Sequence, residues 1–406
     1  MAVFQPYEKV QAASARRTLR AVAPIAADAA AAMPVAQVKR ALQRHGDGGP
    51  ALVLDLARVR RNVQRFSAAM PAVRPHYAVK ANPERRVLMA LARQAAGFEI
   101  ASPSELDLLR SIGVPAHEIF YSNPVRSLDA IRYAARRGVE WFVFDCAQEL
   151  GKFALCKPDA RLYLRIETTN EGSDWPLTGK FGAAEADLEA IMLEARRLSL
   201  DIAGVTFHVG SQCRNPENWR AAMRAARVVF ERLEQAGFRP RLLDIGGGYP
   251  VQLTKPIPSI DAIGALVMEE LGAFGPEVKA IAEPGRFMVA DAGCFVIHVI
   301  GTAMRNGKRW LHCDAGVFGG MFETTDGLRY NLHTDRTGPP VPWHVAGPTC
   351  DSVDVCMRDQ LLPEDMAAGD AIYVMNAGAY TTAYASEFNG FALPQVIVTD
   401  GDSETV

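Results

Sequence analysis

The chain has 406 residues, 49% of them hydrophobic and 22% charged, with a formal net charge of -2. That is enough chain for two domains and a large core, and the near-neutral charge gives no electrostatic case for nucleic acid or an anionic membrane as a partner. No apolar run reaches the ~18 residues that span a bilayer, and seven cysteines with scattered spacing and no CxxC suggest neither a disulfide framework nor a metal site, so a reducing cytoplasm is the simplest home.

Residues 1–45 stand apart. They are alanine-rich and carry Arg16, Arg17 and Arg20 with few acids, a composition shared with transit peptides. Glu8, Asp28 and the stretch "PVAQVKRALQRHG" favour instead a helical N-terminal extension that packs on the body.

From residue 46 to 287 a regular rhythm follows. After "PALVLD" (50–55), β-prone runs alternate with amphipathic helical ones: "HYAVK" (76–80), "GFEIAS" (97–102), "IFYSN" (119–123), "WFVFD" (141–145), "LYLRI" (162–166), "GVTFHVG" (204–210), "LLDIGG" (242–247) and "KAIAEPG" (279–285). The runs between them repeat apolar residues at three and four, and "SPSEL" (102–106) reads as a helix start. Eight strands with helical crossovers match an α/β fold of the (β/α)8 TIM-barrel type, with a doubly wound open sheet as the alternative. Over 288–406, "CFVIHVIGTAM", "RWLHCDAG", "HVAGPTCD", "DAIYVMNAGAY" and "PQVIVT" are strands without intervening helices, a C-terminal β domain. "ALVLD" is expected to pair with that domain rather than the barrel.

In such a barrel the chemistry lies at the C-terminal ends of the strands. "RPHYAVKANP" (74–83) delivers one lysine, Lys80, at a strand tip. A solvated strand-edge lysine is the ordinary explanation. The alternative is an amine aimed into a pocket, able to form a Schiff base with a carbonyl. Gly246, Gly247 and Gly248 follow the seventh strand, and Gly285 and Arg286 the eighth. These are the loops that commonly hold phosphate in TIM barrels, and glycines let backbone N–H groups approach an anion. A lysine nucleophile with a phosphate cradle points to pyridoxal 5′-phosphate (PLP). Glu283 is placed to hold the pyridine nitrogen protonated, and His208 to stack on the ring.

The motifs "YAVKAN", "GFEIASPSEL", "HVGSQ", "DIGGGYP", "EPGRF", "GPTCDSVD", "GAYT" and "FNGF" together resemble the fold-type III, PLP-dependent basic amino-acid decarboxylases, the ornithine decarboxylase family, from residue 50 to the end. The resemblance implies Lys80 as the PLP lysine, Glu283 as the pyridinium partner and His208 as the stacking group. It places Ser211, Gly247, Gly248, Gly285, Arg286 and Tyr380 at the phosphate, and Glu99, Glu105 and Arg165 near the cofactor. It further implies a homodimer with shared sites, in which Cys350 and Asp351 reach the partner's cofactor, Cys350 as a proton donor, a role favoured by Asp351 and Asp354 following it in "CDSVD". Asp351, Phe388 and either Glu323 or Asp326 would meet the substrate.

Two departures matter. Glu99 stands where many members carry Asp. The stretch "GVFGGMFETTDGLRY" (316–330) resembles the bacterial ornithine/lysine branch rather than the animal "YDH" pattern, leaving Glu323 and Asp326 both available for a distal amine. "CDS" rather than "CES" speaks against diaminopimelate decarboxylase, and the absence of "YGHG" after the lysine against alanine racemase. Intact lysine and phosphate loops speak against a non-catalytic decarboxylase-like binding protein. Ornithine is the expected substrate and lysine the weaker one.

Overall fold

A computed structural model describes residues 32–177 and 179–401. Strand β1 (Ala51–Asp55) precedes eight parallel strands that close into a barrel: β2 (Val73–Ala78), β3 (Gly97–Ile100), β4 (Ile119–Tyr121), β5 (Trp141–Phe144), β6 (Arg161–Arg165), β8 (Ile202–Thr206), β10 (Leu242–Asp244) and β11 (Lys279–Ala282). Strand β11 pairs with β2, so the ring closes and the open-sheet alternative falls. A small antiparallel ribbon of β7 (Ser173–Trp175) and β9 (Ser211–Cys213) lies at the strands' C-terminal side.

The helices are α1 (Val35–His45), α2 (Leu56–Ala69), α3 (Arg85–Ala92), α4 (Pro103–Ser111), α5 (Leu128–Arg136), α6 (Ala147–Cys156), α7 (Leu188–Arg197), α8 (Glu217–Gln235), α9 (Ile260–Leu271) and the single turn α10 (Arg286–Val289). Their starts follow capping chemistry. Ser102, Ser127 and Ser259 each accept an N–H from the first turn of α4, α5 and α9. At α4, Glu105 also reaches back past the cap to accept the Ala101 N–H. Phe120, Val143, Tyr163, Leu242 and Ile281 fill the barrel interior, with Trp141 stacked on Phe120 at 5.3 Å.

The remaining strands form the second unit: β12 (Gly293–Arg305), β13 (Lys308–Cys313), β14 (Leu332–Thr334), β15 (Pro340–Ala346), β16 (Val355–Pro363), β17 (Ala371–Met375) and β18 (Gln395–Thr399). The 13-residue β12 unites them. Its first half pairs with β1 and β17, its second with β13. "ALVLD" thus joins the β unit, as its apolar run with no polar face foretold, and all five of its residues are buried. Helix α1 lays Val38 and Ala41 on the face made by Ala51, Val53, Val296, Tyr373 and Ile397. The extension expected over 1–45 therefore packs on the body where it is seen, and residues 1–31 lie outside the described residues. Strands β14 and β16 were not foreseen. None of the seven cysteines is in a disulfide, and among the described residues no helix is long and apolar enough to cross a membrane.

Candidate active site

The predicted cofactor residues gather at the C-terminal mouth of the barrel. Lys80 lies not in β2 but in the 3-10 turn Val79–Ala81 just beyond it. That turn lifts the side chain out of the barrel wall, leaving it 43% exposed, with its ammonium on the carboxylate of buried Glu99 from β3. Burial opposes this charge, but Glu99, Tyr380 and Glu283 outweigh it and hold the amine above the ordinary lysine range. Glu105, beneath, is pushed up to about 7 by burial and by Glu99.

His208 follows β8. Its Nδ1 accepts the Gly210 N–H at 3.0 Å. Burial first, then Arg165 and Lys80, push its pKa well below the usual range, so the ring is neutral at physiological pH. Arg165, at the end of β6, faces the Phe181 ring at 5.4 Å.

The glycines after β10 have a steric reason. Gly246 (φ 64°) and Gly248 (φ 106°) adopt left-handed backbone. A Cβ on Gly246 would sit 1.9 Å from the Phe207 carbonyl, one on Gly248 2.3 Å from the Gly210 carbonyl, and one on Gly247 3.0 Å from His208 Nε2. Opposite them Arg286 opens α10 after Gly285. Tyr380 comes from the β unit. Its N–H donates to the Ala81 carbonyl at 2.8 Å, and its ring lies under the Arg286 guanidinium at 4.9 Å. The β unit thus completes a site built on the barrel.

Glu283 supplies the test of fit for a PLP ring. Its Oε1 is buried with no hydrogen-bond partner. Burial, then Asp244 and Glu99, raise its pKa well above the carboxylate range. An orphaned carboxylate oxygen among acids is costly, and a protonated ring nitrogen is the partner it lacks. The glycine cradle, Ser211, Arg286 and Tyr380 offer donors on the other side. The residues present fit the group.

The sequence reading missed Asp244. It is fully buried, accepting from Thr206 Oγ1 at 2.8 Å and the Gly246 N–H at 2.9 Å, and burial pushes its pKa up to about 6. The motif "DIGGGYP" held the signal, but nothing in it showed that the acid points inward beneath Glu283. The sign of the pH effect follows. A carboxyl whose folded pKa exceeds its unfolded value near ~3.9 stabilises the fold fully below that value and loses the contribution as pH rises through about 6. In cofactor-free protein, Asp244→Asn is therefore expected to melt progressively higher relative to wild type between pH 4 and 7, by at most ~3 kcal/mol. A melting difference independent of pH would assign Asp244 no such role.

Two expectations are corrected. Glu323 does not stand open for a distal amine. Its oxygens receive Arg286 Nη1 at 2.9 Å and Nη2 at 2.5 Å, and Tyr330 Oη donates to it at 3.3 Å. Asp354 does not assist Cys350 either. It accepts from the Val317 N–H at 2.7 Å and from Thr349 N–H and Oγ1, tying the 316–318 turn to the loop before β16. Asp326 is exposed. Cys350, Asp351 and Phe388 are exposed too, and among the described residues no hydrogen bond, ion pair or ring contact joins them to Lys80, His208 or Glu283 of the same chain.

Comparison with known proteins gives the family. Residues 56–290 match the family model of the pyridoxal-dependent decarboxylase, pyridoxal binding domain. The chain belongs to that family. It is a PLP-dependent decarboxylase of the basic amino-acid group. Ornithine decarboxylase of Schizosaccharomyces pombe is 36% identical over 386 residues, covering 91% of this chain and 88% of the relative. Antizyme inhibitor 2 of Xenopus laevis is also 36% identical, over 84% of this chain and 78% of its own. The lysine/ornithine decarboxylase of Vibrio vulnificus, solved with putrescine, superposes with a TM-score of 0.81 at 34% identity, covering 90% of this chain and 98% of that one. It confirms the barrel and β-domain architecture for this decarboxylase.

Proposed function

We propose that this decarboxylase removes CO2 from an amino acid whose side chain ends in an ammonium, L-ornithine to putrescine first and lysine more slowly. The observation that carries the reading is the sign of the exposed side chains that carry no ion pair near the expected distal end. Asp326 and Asp351 are exposed acids. Two nearby cations are engaged: Arg286 by Glu323, and Arg329 by the carbonyls of Thr324 and Leu328. An ammonium is therefore welcome there and a carboxylate is not. The names of the Schizosaccharomyces and Vibrio relatives support the same class.

PLP, when bound, supplies the sink for the electron pair that CO2 leaves behind. The rest is the work of this chain. Lys80 anchors the cofactor through its Nζ. Glu283 holds the proton at the ring nitrogen, with Asp244 below it keeping the pair of acids proton-rich. His208, neutral, lines one face without adding charge. Cys350 Sγ returns a proton to the α-carbon, and Asp351 receives the distal ammonium.

Both of these last residues are proposed to act on the partner's site in a homodimer. Their surface supports this. Cys350 is held by Asn389 Oδ1 at 3.1 Å, and Phe388, Phe391, Leu393 and Val353 are all exposed on the same chain segments, an apolar grouping that a subunit interface would cover. The likeness to antizyme inhibitor 2 favours a binding protein as the rival, but Lys80, Glu283 and the glycine cradle are all in place.

The test is a substrate panel scored by CO2 release. Ornithine is expected to give the highest kcat/KM. Lysine, one methylene longer, is expected to lag by ~1–3 kcal/mol in transition-state terms. Faster release from glutamate or meso-diaminopimelate would mean that the distal end has the opposite sign. No release from any amino acid by PLP-loaded protein would favour the binding-protein reading.

A further inference from the structure

We infer that Glu323 is a positioning residue for the cofactor's phosphate, acting through Arg286, and not a substrate ligand. The pair is bidentate, and both side chains are almost fully inaccessible, 3% exposed for Arg286 and 5% for Glu323. A two-pronged guanidinium–carboxylate contact fixes the plane of the arginine as well as its place. Three further contacts restrict it. The Tyr380 ring lies against the guanidinium at 4.9 Å, Nη2 reaches Ser211 Oγ at 3.3 Å, and Tyr330 Oη donates to Glu323 Oε2, the oxygen that also receives Arg286 Nη1, at 3.3 Å. The loop that carries Glu323 is itself pinned, with Thr324 Oγ1 on the Met321 carbonyl at 2.5 Å and Arg329 Nη1 on the Thr324 carbonyl at 3.2 Å.

What this leaves over is informative. Both Nη groups of Arg286 are occupied, while Nε is buried with no partner. A buried unsatisfied N–H on a cation is a vacancy for an anion. It lies on the residue that opens α10, beside Gly285 and in contact with Ser211 and Tyr380, which are the other candidate phosphate donors. Glu323 thus holds a rigid donor set in place before the phosphate arrives. Serving a substrate ammonium would require it to abandon Arg286, leaving that charge buried and uncompensated.

This rests on the family's cofactor and not on the choice of substrate, so the substrate panel can fail without touching it. The experiment measures binding of PLP and of pyridoxal, which lacks the phosphate, to cofactor-free protein by their absorption change. Glu323→Ala is expected to weaken PLP binding by about tenfold or more while changing pyridoxal binding by less than about twofold. Glu323→Gln keeps the shape and one acceptor, and is expected to show the same selective loss at about threefold; it stands in should the alanine variant not fold. In an Arg286→Ala background the Glu323 substitution should add little. Equal losses for PLP and pyridoxal would reduce Glu323 to general scaffolding and overturn the inference. So would unchanged PLP binding with the ornithine KM raised about tenfold, the mark of a substrate ligand.

Discussion

Lys80→Ala is expected to abolish covalent loading of the cofactor and to cut CO2 release by about three orders of magnitude or more. The argument is positional. Among the site residues described, Lys80 carries the one primary amine, set on a turn at the end of β2 and facing Glu99, with Glu283 and Tyr380 close enough to raise its pKa. Arginine cannot replace it, because a guanidinium stays protonated and offers no nucleophile. Methylamine added to the alanine variant should restore part of the turnover, since it supplies the missing amine without rebuilding the side chain. The measurements are the absorption band of the protein-bound cofactor and the initial rate of CO2 release. A Lys80→Ala protein that turns over near the wild-type rate would remove Lys80 from the chemistry, and the proposed substrate reaction with it.

The barrel was legible because most of its strands are short apolar runs closed by a glycine, proline, asparagine or aspartate, and because helix starts such as "SPSEL" carry their own caps. The pairing of "ALVLD" with the β unit was legible for a related reason: a strand apolar on both faces needs cover from two sides. Strand β16 was not, because "VCMRDQLLP" mixes charges and amides into its run. It is an edge strand with Arg358, Asp359 and Leu361 exposed, so solvent and not the core sets its outer half. Short β14 and the β7–β9 ribbon carry three residues each, too few for any period to show.

At the site, residues whose work is local could be read, and residues whose work depends on a distant partner could not. Lys80 at a strand tip and the glycines of "DIGGGYP" declare their geometry in the immediate sequence. Glu323 does not. Its partner Arg286 lies 37 residues earlier, across the boundary between barrel and β unit, and only the folded chain shows that the acid is already neutralised. Asp354 misled in the same way, lying four residues after Cys350 in sequence but turned toward Val317 and Thr349.

The second large effect concerns assembly. Lys80→Ala and Cys350→Ala chains, each nearly inactive alone, are expected to recover activity when mixed. Under two-fold symmetry, random exchange puts half of the dimers in the mixed state, and one of the two sites in each then has both residues intact, giving about a quarter of wild-type turnover. The structural basis is that Cys350 and Asp351 sit on an exposed segment with no hydrogen bond or ion pair to Lys80 of their own chain among the described residues, bordered by the exposed apolar side chains of Val353, Phe388 and Phe391. Asp351→Ala should raise the ornithine KM and lower kcat, because the ammonium is desolvated without a counter-charge, and it should complement Lys80→Ala in the same way. Mixing Cys350→Ala with Asp351→Ala provides the control. Both substitutions lie on the donated surface, so every site in the mixed dimer receives one damaged segment or the other, and no recovery is expected. Complementation in that control, or its absence in the Lys80 mixtures after subunit exchange has been verified by mass, would mean that each site is built from a single chain.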